Sequence, residues 1–174
     1  MDKTKVIAVN TPISEEAAAG LQVGDTVEIS GCILCGRDAV LPKVLGMIEE
    51  GKAEELGADL RGQVIFHTAV SPAGIGPTSS NKLEIESTIG PLSAAGIKLH
   101  LGKGALHPET VRMLDMYNSV YAVIPPVTAL LASKTCEERV IAFPELGCEA
   151  VRRLTVKDMP LIVGIDSFGN SILK

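Results

Sequence analysis

Residues 63–80 read QVIFHTAVSPAGIGPTSS, and this stretch decides the class of fold. Its first part, residues 63–69, is rich in apolar and β-branched side chains and predicts a strand. The Gly- and Pro-rich part, residues 71–80, predicts a loop whose tail leads into a helix near residues 81–95. A strand, a loop and a helix in succession form the unit from which mixed α/β domains are built.

The rest of the chain repeats this alternation. Further strands are predicted over residues 5–9, 26–34, 97–101, 120–124, 139–142 and 161–165, and a turn at 167–170 leads into a short strand at 171–173. Helices are predicted over residues 11–19, 37–51, 108–117 and 125–132, whereas residues 147–155 fit neither pattern. We therefore expect a single α/β domain over residues 1–174, with helices around a mixed sheet whose strand order does not follow from the pattern.

Composition narrows the class of function. Apolar residues make up 46% of the chain but aromatic residues only 3%, so Val, Ile, Leu and Ala must build the core. The net charge is -5 and Lys and Arg form no run, which argues against nucleic acid as a partner. No apolar stretch reaches about 18 residues, so no membrane span is expected. The opening residues MDKTKVIAVN do not have the pattern of a signal peptide, and a cytoplasmic protein is expected.

Four cysteines, two of them in a CxxC pair, raise the question of a metal or redox site. Structural zinc usually needs a second ligand pair, and Cys136 and Cys148 are isolated from each other. A redox CxxC usually opens a helix, whereas Cys32 and Cys35 lie in or next to a strand-like run. We therefore favour ordinary strand cysteines, with a thiol-redox or metal-binding domain as a distant alternative.

Three loops with polar side chains follow predicted strands, at residues 36–38, 76–80 and 102–104. Sites in α/β sheets gather beyond the strand ends, where glycine lets the backbone approach a ligand closely. A helix after Ser79 would also present free N–H groups to an anion. Each loop has an ordinary explanation too: Thr78, Ser79 and Ser80 are common helix N-caps, and Arg37 and Lys103 are common surface charges.

Familiar catalytic motifs are missing from the sequence. It contains no GxxxxGK[ST], GxSxG or HExxH pattern and no paired Cys/His metal motif. The three histidines are scattered along the chain. His67 and His100 lie on apolar strands and are predicted to be hydrogen-bonded core or edge residues, and His107, just before Pro108, is predicted to be a loop or capping residue.

Several short motifs, taken in order, resemble the β subunit or C-terminal domain of class I fumarases and L-tartrate dehydratases. The resemblance covers nearly the whole chain, and the joint order is more specific than any one piece. The motifs are a proline near a short first helix, Gly24-Asp25, Arg37-Asp38, Gly76-Pro77-Thr78, Gly102-Lys103-Gly104, residues 145–150 (ELGCEA), residues 158–160 (DMP) and residues 166–170 (DSFGN).

The resemblance implies a fold and a partner. The fold would be a swivelling β/β/α domain of the fumarase C-terminal type. This chain would bind no cofactor, and a separate α subunit would hold a [4Fe–4S] cluster whose open iron acts as a Lewis acid on the substrate hydroxyl. The activity implied is a hydro-lyase that adds or removes water on a small dicarboxylate, with a homo-oligomer left open.

Residue roles are also implied by the resemblance. Arg37 matches an arginine that contacts substrate, and Lys103 matches a lysine that binds a carboxylate. Thr78 matches a threonine near the proton-transfer centre, which makes it the candidate catalytic residue. The remaining substrate-binding candidates are Gly76, Ser79 and Lys82.

The sequence also departs from the family pattern around the expected pocket. Lys82-Leu83-Glu84 stands where the family usually has Arg-Met-Asp, residues 39–42 (AVLP) where it has Ala-Ala-His-Lys, and Pro125-Pro126 where it has Gly-Gly. Lysine keeps the charge of arginine but loses its bidentate fork. The substrate could therefore be fumarate, tartrate or a related 2-hydroxy diacid. The alternative is a non-catalytic or repurposed small-molecule-binding paralogue on the same fold.

Overall fold

A computed structural model describes residues 5–78 and 82–174, with the backbone alone at Pro77 and Thr78. Within these ranges the strands are β1 (Val6–Asn10), β2 (Thr26–Cys35), β3 (Val64–Phe66), β4 (Thr68–Ser71), β5 (Gly74–Thr78), β6 (Leu99–Gly102), β7 (Val120–Val123), β8 (Thr135–Ala142) and β9 (Val151–Ile165). The α-helices are α1 (Glu15–Gly20), α2 (Leu41–Glu49), α3 (Lys82–Ala94), α4 (Pro108–Met116) and α5 (Thr128–Ser133). Two 3-10 helices, Ala53–Leu56 and Pro144–Glu149, complete the elements.

The main sheet closes on itself and forms a small barrel. Its strand order is β1-β2-β3-β6-β7-β9-β8, and an additional pairing of β2 with β9 joins five of these strands into a ring, β2-β3-β6-β7-β9. Neighbouring strands among β2, β3, β6 and β7 run parallel, whereas β9 is antiparallel to both of its ring neighbours. This mixed sheet with helices is the α/β architecture predicted from the sequence and implied by the resemblance.

The core lies inside this ring of strands. Successive side chains of a strand point to opposite faces of the sheet, so every second residue points into the ring. One set of alternate residues fills the interior, as Val27, Ile29, Ile33 and Cys35 do on β2, and all four are almost completely buried. The other set points outward under the helices, where Leu34 and Ile65 pack with α2 and α3, and Tyr121 packs with α3 and α4. The predicted core of aliphatic residues is confirmed.

The loop predicted at residues 71–80 is mostly a β-hairpin, so that prediction was wrong. The strand predicted at 63–69 divides into β3 and β4, and β4 turns back into β5 in a separate two-stranded sheet. Val70 and Ile75 of this hairpin are buried in the barrel core. Glycine and proline are poor strand formers, but burial of these two apolar side chains outweighs that local preference.

Several other helices and strands begin or end at residues different from those predicted, for local reasons. The first helix begins at Glu15 rather than at Pro12, because the Ser14 hydroxyl accepts a hydrogen bond from the Ala17 backbone N–H at 3.1 Å and caps the helix there. Residues 147–155 include the start of β9, a 15-residue strand that also contains the strand predicted at 161–165. Asp158, with φ of 49°, interrupts the alternation of its side chains. Residues 171–173 contribute a single bridge, between Ile165 and Ser171.

None of the helices in the described ranges is long and apolar enough to cross a lipid bilayer.

Candidate active site at the carboxyl edge of the barrel

The parallel strands bring distant loops to one edge of the barrel. In the strand register, Cys35 pairs with Phe66, Phe66 with Leu101, and Leu101 with Ala122. These paired residues lie side by side near the carboxyl ends of their strands, so the segments that follow them leave the sheet at the same edge. They carry Arg37 after β2, the β4–β5 hairpin after β3, Lys103 after β6 and Ile124 after β7. Two strand spacings separate β2 from β6, so the ends of the strands that precede Arg37 and Lys103 lie about 10 Å apart.

Arg37 is held by a carboxylate from a distant segment. Its Nε–H donates to Glu149 Oε1 at 2.6 Å, and the Ala39 backbone N–H donates to Glu149 Oε2 at 3.1 Å. Both oxygens of Glu149 are thus engaged by the loop that follows β2. A guanidinium bound through Nε retains two terminal nitrogens that can form a bidentate pair with a second carboxylate. Glu149 therefore fixes Arg37 without using up its capacity to bind an anion.

Lys103 is fixed through its backbone by a buried tyrosine. The Tyr121 hydroxyl donates to the Lys103 carbonyl oxygen at 2.9 Å, and Tyr121 is 2% exposed. The preceding residue must be glycine, because a Cβ on Gly102 would lie 2.5 Å from that hydroxyl oxygen. Burial, with the nearby Glu86 charge, raises the pKa of Tyr121 above its usual range and keeps it a hydrogen-bond donor. The Lys103 side chain itself is exposed.

A cavity of about 170 Å³ opens next to Lys103. Gly76 of β5 also lines it, so two of the predicted substrate-binding residues meet at one cavity. The other described residues of the lining are apolar: Phe66, Val123, Ile124, Pro126 and Leu131. Because Phe66 belongs to the barrel interior, the cavity lies at the mouth of the barrel, a common position for ligand sites.

Lys82 lies at the start of α3, beside a buried carboxylate. Its Nζ is 3.7 Å from Glu86 Oε1, and Lys82 is absent from the described lining of the cavity. Glu86 accepts hydrogen bonds from the His107 backbone N–H at 2.8 Å, the Thr110 hydroxyl at 2.7 Å and the His107 ring at 3.0 Å. Burial raises the pKa of Glu86, but these hydrogen bonds outweigh it and the pKa is lowered. Glu86 thereby holds the start of α4 in place, and His107 is the N-cap residue of that helix, in agreement with the predicted loop or capping position.

Two of the predicted residues fall partly or wholly outside the described part of the chain. Thr78 ends β5, where its backbone is in register with Thr68, but its side chain is not described. Ser79 lies outside the described residues altogether. The roles assigned to both remain predictions.

Sequence comparison identifies the family. Residues 1–174 match the sequence model of the family described as Fumarase C-terminus. This chain belongs to that family.

Its relatives carry related names. The chain is 28% identical to the L(+)-tartrate dehydratase subunit beta of Escherichia coli (strain K12), a match covering 95% of this chain and 85% of the relative. It is 32% identical to the putative L(+)-tartrate dehydratase subunit beta of Methanocaldococcus jannaschii, covering 87% and 83%. It is also 32% identical to the putative fumarate hydratase class I of Geobacillus stearothermophilus, covering 97% of this chain but 34% of that protein.

The two CxxC cysteines of this family member lie in a strand, as predicted. Cys32 and Cys35 are both on β2, and all four cysteines are free thiols. Cys35 is buried, and burial raises the pKa of its thiol above the usual range, so it is a poor nucleophile and metal ligand. Cys32 Sγ lies 3.9 Å from the Thr155 hydroxyl oxygen. Over the part of the chain that the structure describes, no group of three His, Cys, Asp or Glu could hold a metal ion.

Two histidines form a buried polar chain on the outer face of the barrel. His67 Nε2 lies 3.1 Å from His100 Nδ1, and His100 Nε2 lies 2.9 Å from the Ser93 hydroxyl oxygen. Both rings are completely buried, which lowers the pKa of His67 to about 3 and that of His100 well below its ordinary value. Both histidines are therefore neutral, and the prediction that they are hydrogen-bonded core residues is confirmed.

Sequence reasoning missed the two residues that orient the candidate cations. Glu149 belongs to the ELGCEA motif, which supported the resemblance but received no role of its own. Tyr121 lies in a strand whose other residues are plainly apolar. The available signal was its buried hydroxyl, because a tyrosine in an apolar strand needs a hydrogen-bond partner at its tip.

Proposed function

We propose that this chain is the β subunit of a hydro-lyase that adds water to, or removes it from, a small dicarboxylate. The observation that carries the proposal is the match over most of the length of relatives named as tartrate dehydratase β subunits. The common edge occupied by Arg37 and Lys103 supports it. A single hydro-lyase β-type domain over residues 1–174 and a cytoplasmic location are part of the proposal, the latter supported by the free thiols.

The two cations suit a dianion. Arg37 and Lys103 follow parallel strands at one edge, and a dianion bound there would interact favourably with both positive charges. Each carboxylate of a dicarboxylate could pair with one of them, with the Arg37 guanidinium held by Glu149 and the Lys103 backbone held by Tyr121. Gly76 would let the hairpin backbone approach the substrate, and Ser79 and Lys82 would add hydrogen bonds and positive charge from the adjoining segment.

The chemistry would be divided between two subunits. Elimination of water requires a group that takes the proton from carbon, and Thr78, at the end of β5, is our candidate for holding the proton there. Loss of the hydroxyl group needs an acid that stabilises the leaving oxygen, and a [4Fe–4S] cluster would supply a Lewis acid for this. The described residues of this chain do not fit such a cluster, because they offer no three-ligand group. We therefore assign the cluster to an α subunit.

Co-expression tests the proposal. The chain would be produced together with a candidate α subunit that contains three well-separated cysteines, and the purified complex would be screened for hydration and dehydration of hydroxy diacids. We expect turnover from the complex, and a colourless, inactive protein when this chain is produced alone. Turnover without a partner, or a brown iron–sulfur chromophore on this chain alone, would refute the division of labour.

Variants in the complex test the residues. In the proposed complex, the substrate and the α subunit would cover Lys103, which is exposed in the chain alone. Lys103→Ala should then lower kcat/KM by about 30-fold or more, because removing one partner of a desolvated charge pair costs about 2–5 kcal/mol. Lys52→Ala, which removes an exposed lysine paired with Glu50, is the matched control and should leave kcat/KM unchanged. Thr78→Val should lower kcat more than it raises KM, because a group near the moving proton matters most in the transition state. Unchanged kinetics of Lys103→Ala would remove the basis for the site.

A second function is favoured by one observation. Pro126, where the family usually has glycine, forms part of the cavity wall. A paralogue that binds a small anion without turning it over could carry such a change. A complex that binds hydroxy diacids but releases them unchanged would favour this alternative.

A further inference from the structure

The cavity at the barrel mouth has an unusual lining for a dicarboxylate site. Phe66 is completely buried, and Ile124 and Leu131 are 3% and 2% exposed. Val123 is half-buried, and Lys103 is the one charged side chain in the described lining. The cavity therefore combines a cation at its rim with an apolar interior.

Its walls are built from separate parts of the fold. Phe66 ends β3 inside the barrel, Val123 ends β7, and Leu131 belongs to α5. The hairpin packs against α5, since a Cβ on Gly74 would lie 3.0 Å from the Thr128 methyl group. Between β7 and α5, the Val127 N–H donates to the Pro125 carbonyl oxygen at 2.8 Å, and proline fixes the backbone of this turn. We expect the cavity to keep its volume when it is empty.

The size of the cavity limits what can fill it. Apolar cavities of about 150 Å³ stay dry and bind molecules such as benzene, so 170 Å³ has room for up to about six carbon atoms. The described lining would offer water few polar partners. An unsubstituted four-carbon diacid with a carboxylate at Lys103 has no apolar group to place in this space, and its binding would leave the cavity empty.

We propose that the substrate is a 2-hydroxy diacid, or the corresponding unsaturated diacid, that carries an apolar substituent, with the substituent in this cavity and the adjacent carboxylate at Lys103. This inference rests on the proposed function, whose substrate class it narrows. The substituent takes no part in the bonds that are made and broken. Each methylene buried in the cavity should strengthen binding about fourfold until the cavity is full.

Titration of the full chain followed by methyl NMR tests the inference. The probes are succinate, 2-methylsuccinate and 2-propylsuccinate, which share the two carboxylates and cannot eliminate water. We expect affinity to rise about fourfold per added carbon. The methyl resonances of Val123, Ile124 and Leu131 should shift with the alkyl probes. Equal affinities across the series would overturn the inference while leaving the hydro-lyase assignment in place.

A pair of variants separates filling of the cavity from general effects. Val123→Phe replaces a small aliphatic side chain of the lining with an aromatic ring and should abolish the preference for 2-propylsuccinate over succinate. Val140→Phe makes the same change on the exposed edge strand β8 and should retain that preference. If no probe shifts any cavity resonance in the wild-type chain, the cavity binds no such ligand and the inference fails. The hydro-lyase assignment is decided separately, by turnover in the complex.

Discussion

The buried pair His67 and His100 should make the protein less stable in mild acid. Both rings are neutral in the folded protein, and burial holds the pKa of each below the ordinary value of 6.5. As the pH falls through 6.5, histidines in the unfolded chain take up protons while the folded pair does not. A group whose folded pKa is depressed favours folding at high pH, so this contribution is lost as the pH falls.

The size of the effect follows from the pKa of His67. With a folded pKa of about 3 against 6.5 in the unfolded chain, lowering the pH from 8 to 5 should reduce the free energy of unfolding by about 2 kcal/mol through this residue. His100 acts in the same direction. Aspartate and glutamate side chains in general titrate near pH 4, below this window, so their protonation adds little to the expected change.

Urea unfolding followed by far-UV circular dichroism at pH 8, 7, 6 and 5 measures this loss, since the chain contains no Trp for fluorescence. His67→Gln keeps a polar group near the position of Nε2. We expect this variant to lose about 2 kcal/mol less of its free energy of unfolding between pH 8 and pH 5 than the wild-type chain loses. The change measured at pH 8 gives the cost of the altered packing alone. A wild-type stability that is constant from pH 8 to 5, or a variant that retains the full loss, would refute this account.

Three further predictions concern single contacts. Glu149→Gln in the active complex should raise KM more than it lowers kcat, because Arg37 loses its orientation but not its charge; steady-state kinetics would contradict this if KM is unchanged. Tyr121→Phe should lower the free energy of unfolding by about 1 kcal/mol, since it removes one hydrogen bond, and chemical denaturation measures it. The double variant Cys32→Ala, Cys35→Ala should retain activity in the complex, and loss of activity with the complex still assembled would show that these cysteines are functional.

The fold class could be predicted because local signals agreed over most of the chain. Apolar strands followed by glycine and polar helix starts placed β2, β6, β7 and α4 within a few residues. The closure of the sheet could not be predicted, since it depends on β9 pairing with both β2 and β7. Asp158 and Pro160 interrupt the strand pattern there, and pairing with partners far along the chain leaves no local trace.

The candidate site also contains some residues that the sequence could indicate and others that it could not. Arg37, Gly76 and Lys103 lie in loops that a local pattern singles out, with glycine and polar residues after a strand, but their substrate-binding roles were implied by the family resemblance. The partner of Arg37 could not be predicted, because Glu149 comes from a 3-10 helix far along the chain. The apolar cavity was also hidden, because each lining residue looks like an ordinary core residue until the fold brings the segments together.

Closure of the ring by β9 has a consequence for how the protein is made. Thr26 pairs with Ile162, so β2 must wait for its partner until most of the chain has been synthesised. Until β9 leaves the ribosome, β2 and β7 each present an unpaired edge to which another extended chain can add. Pairing between strands so far apart is also slow. We expect the nascent chain to be most prone to aggregation in this interval, when a chaperone that covers these two edges would have its greatest effect.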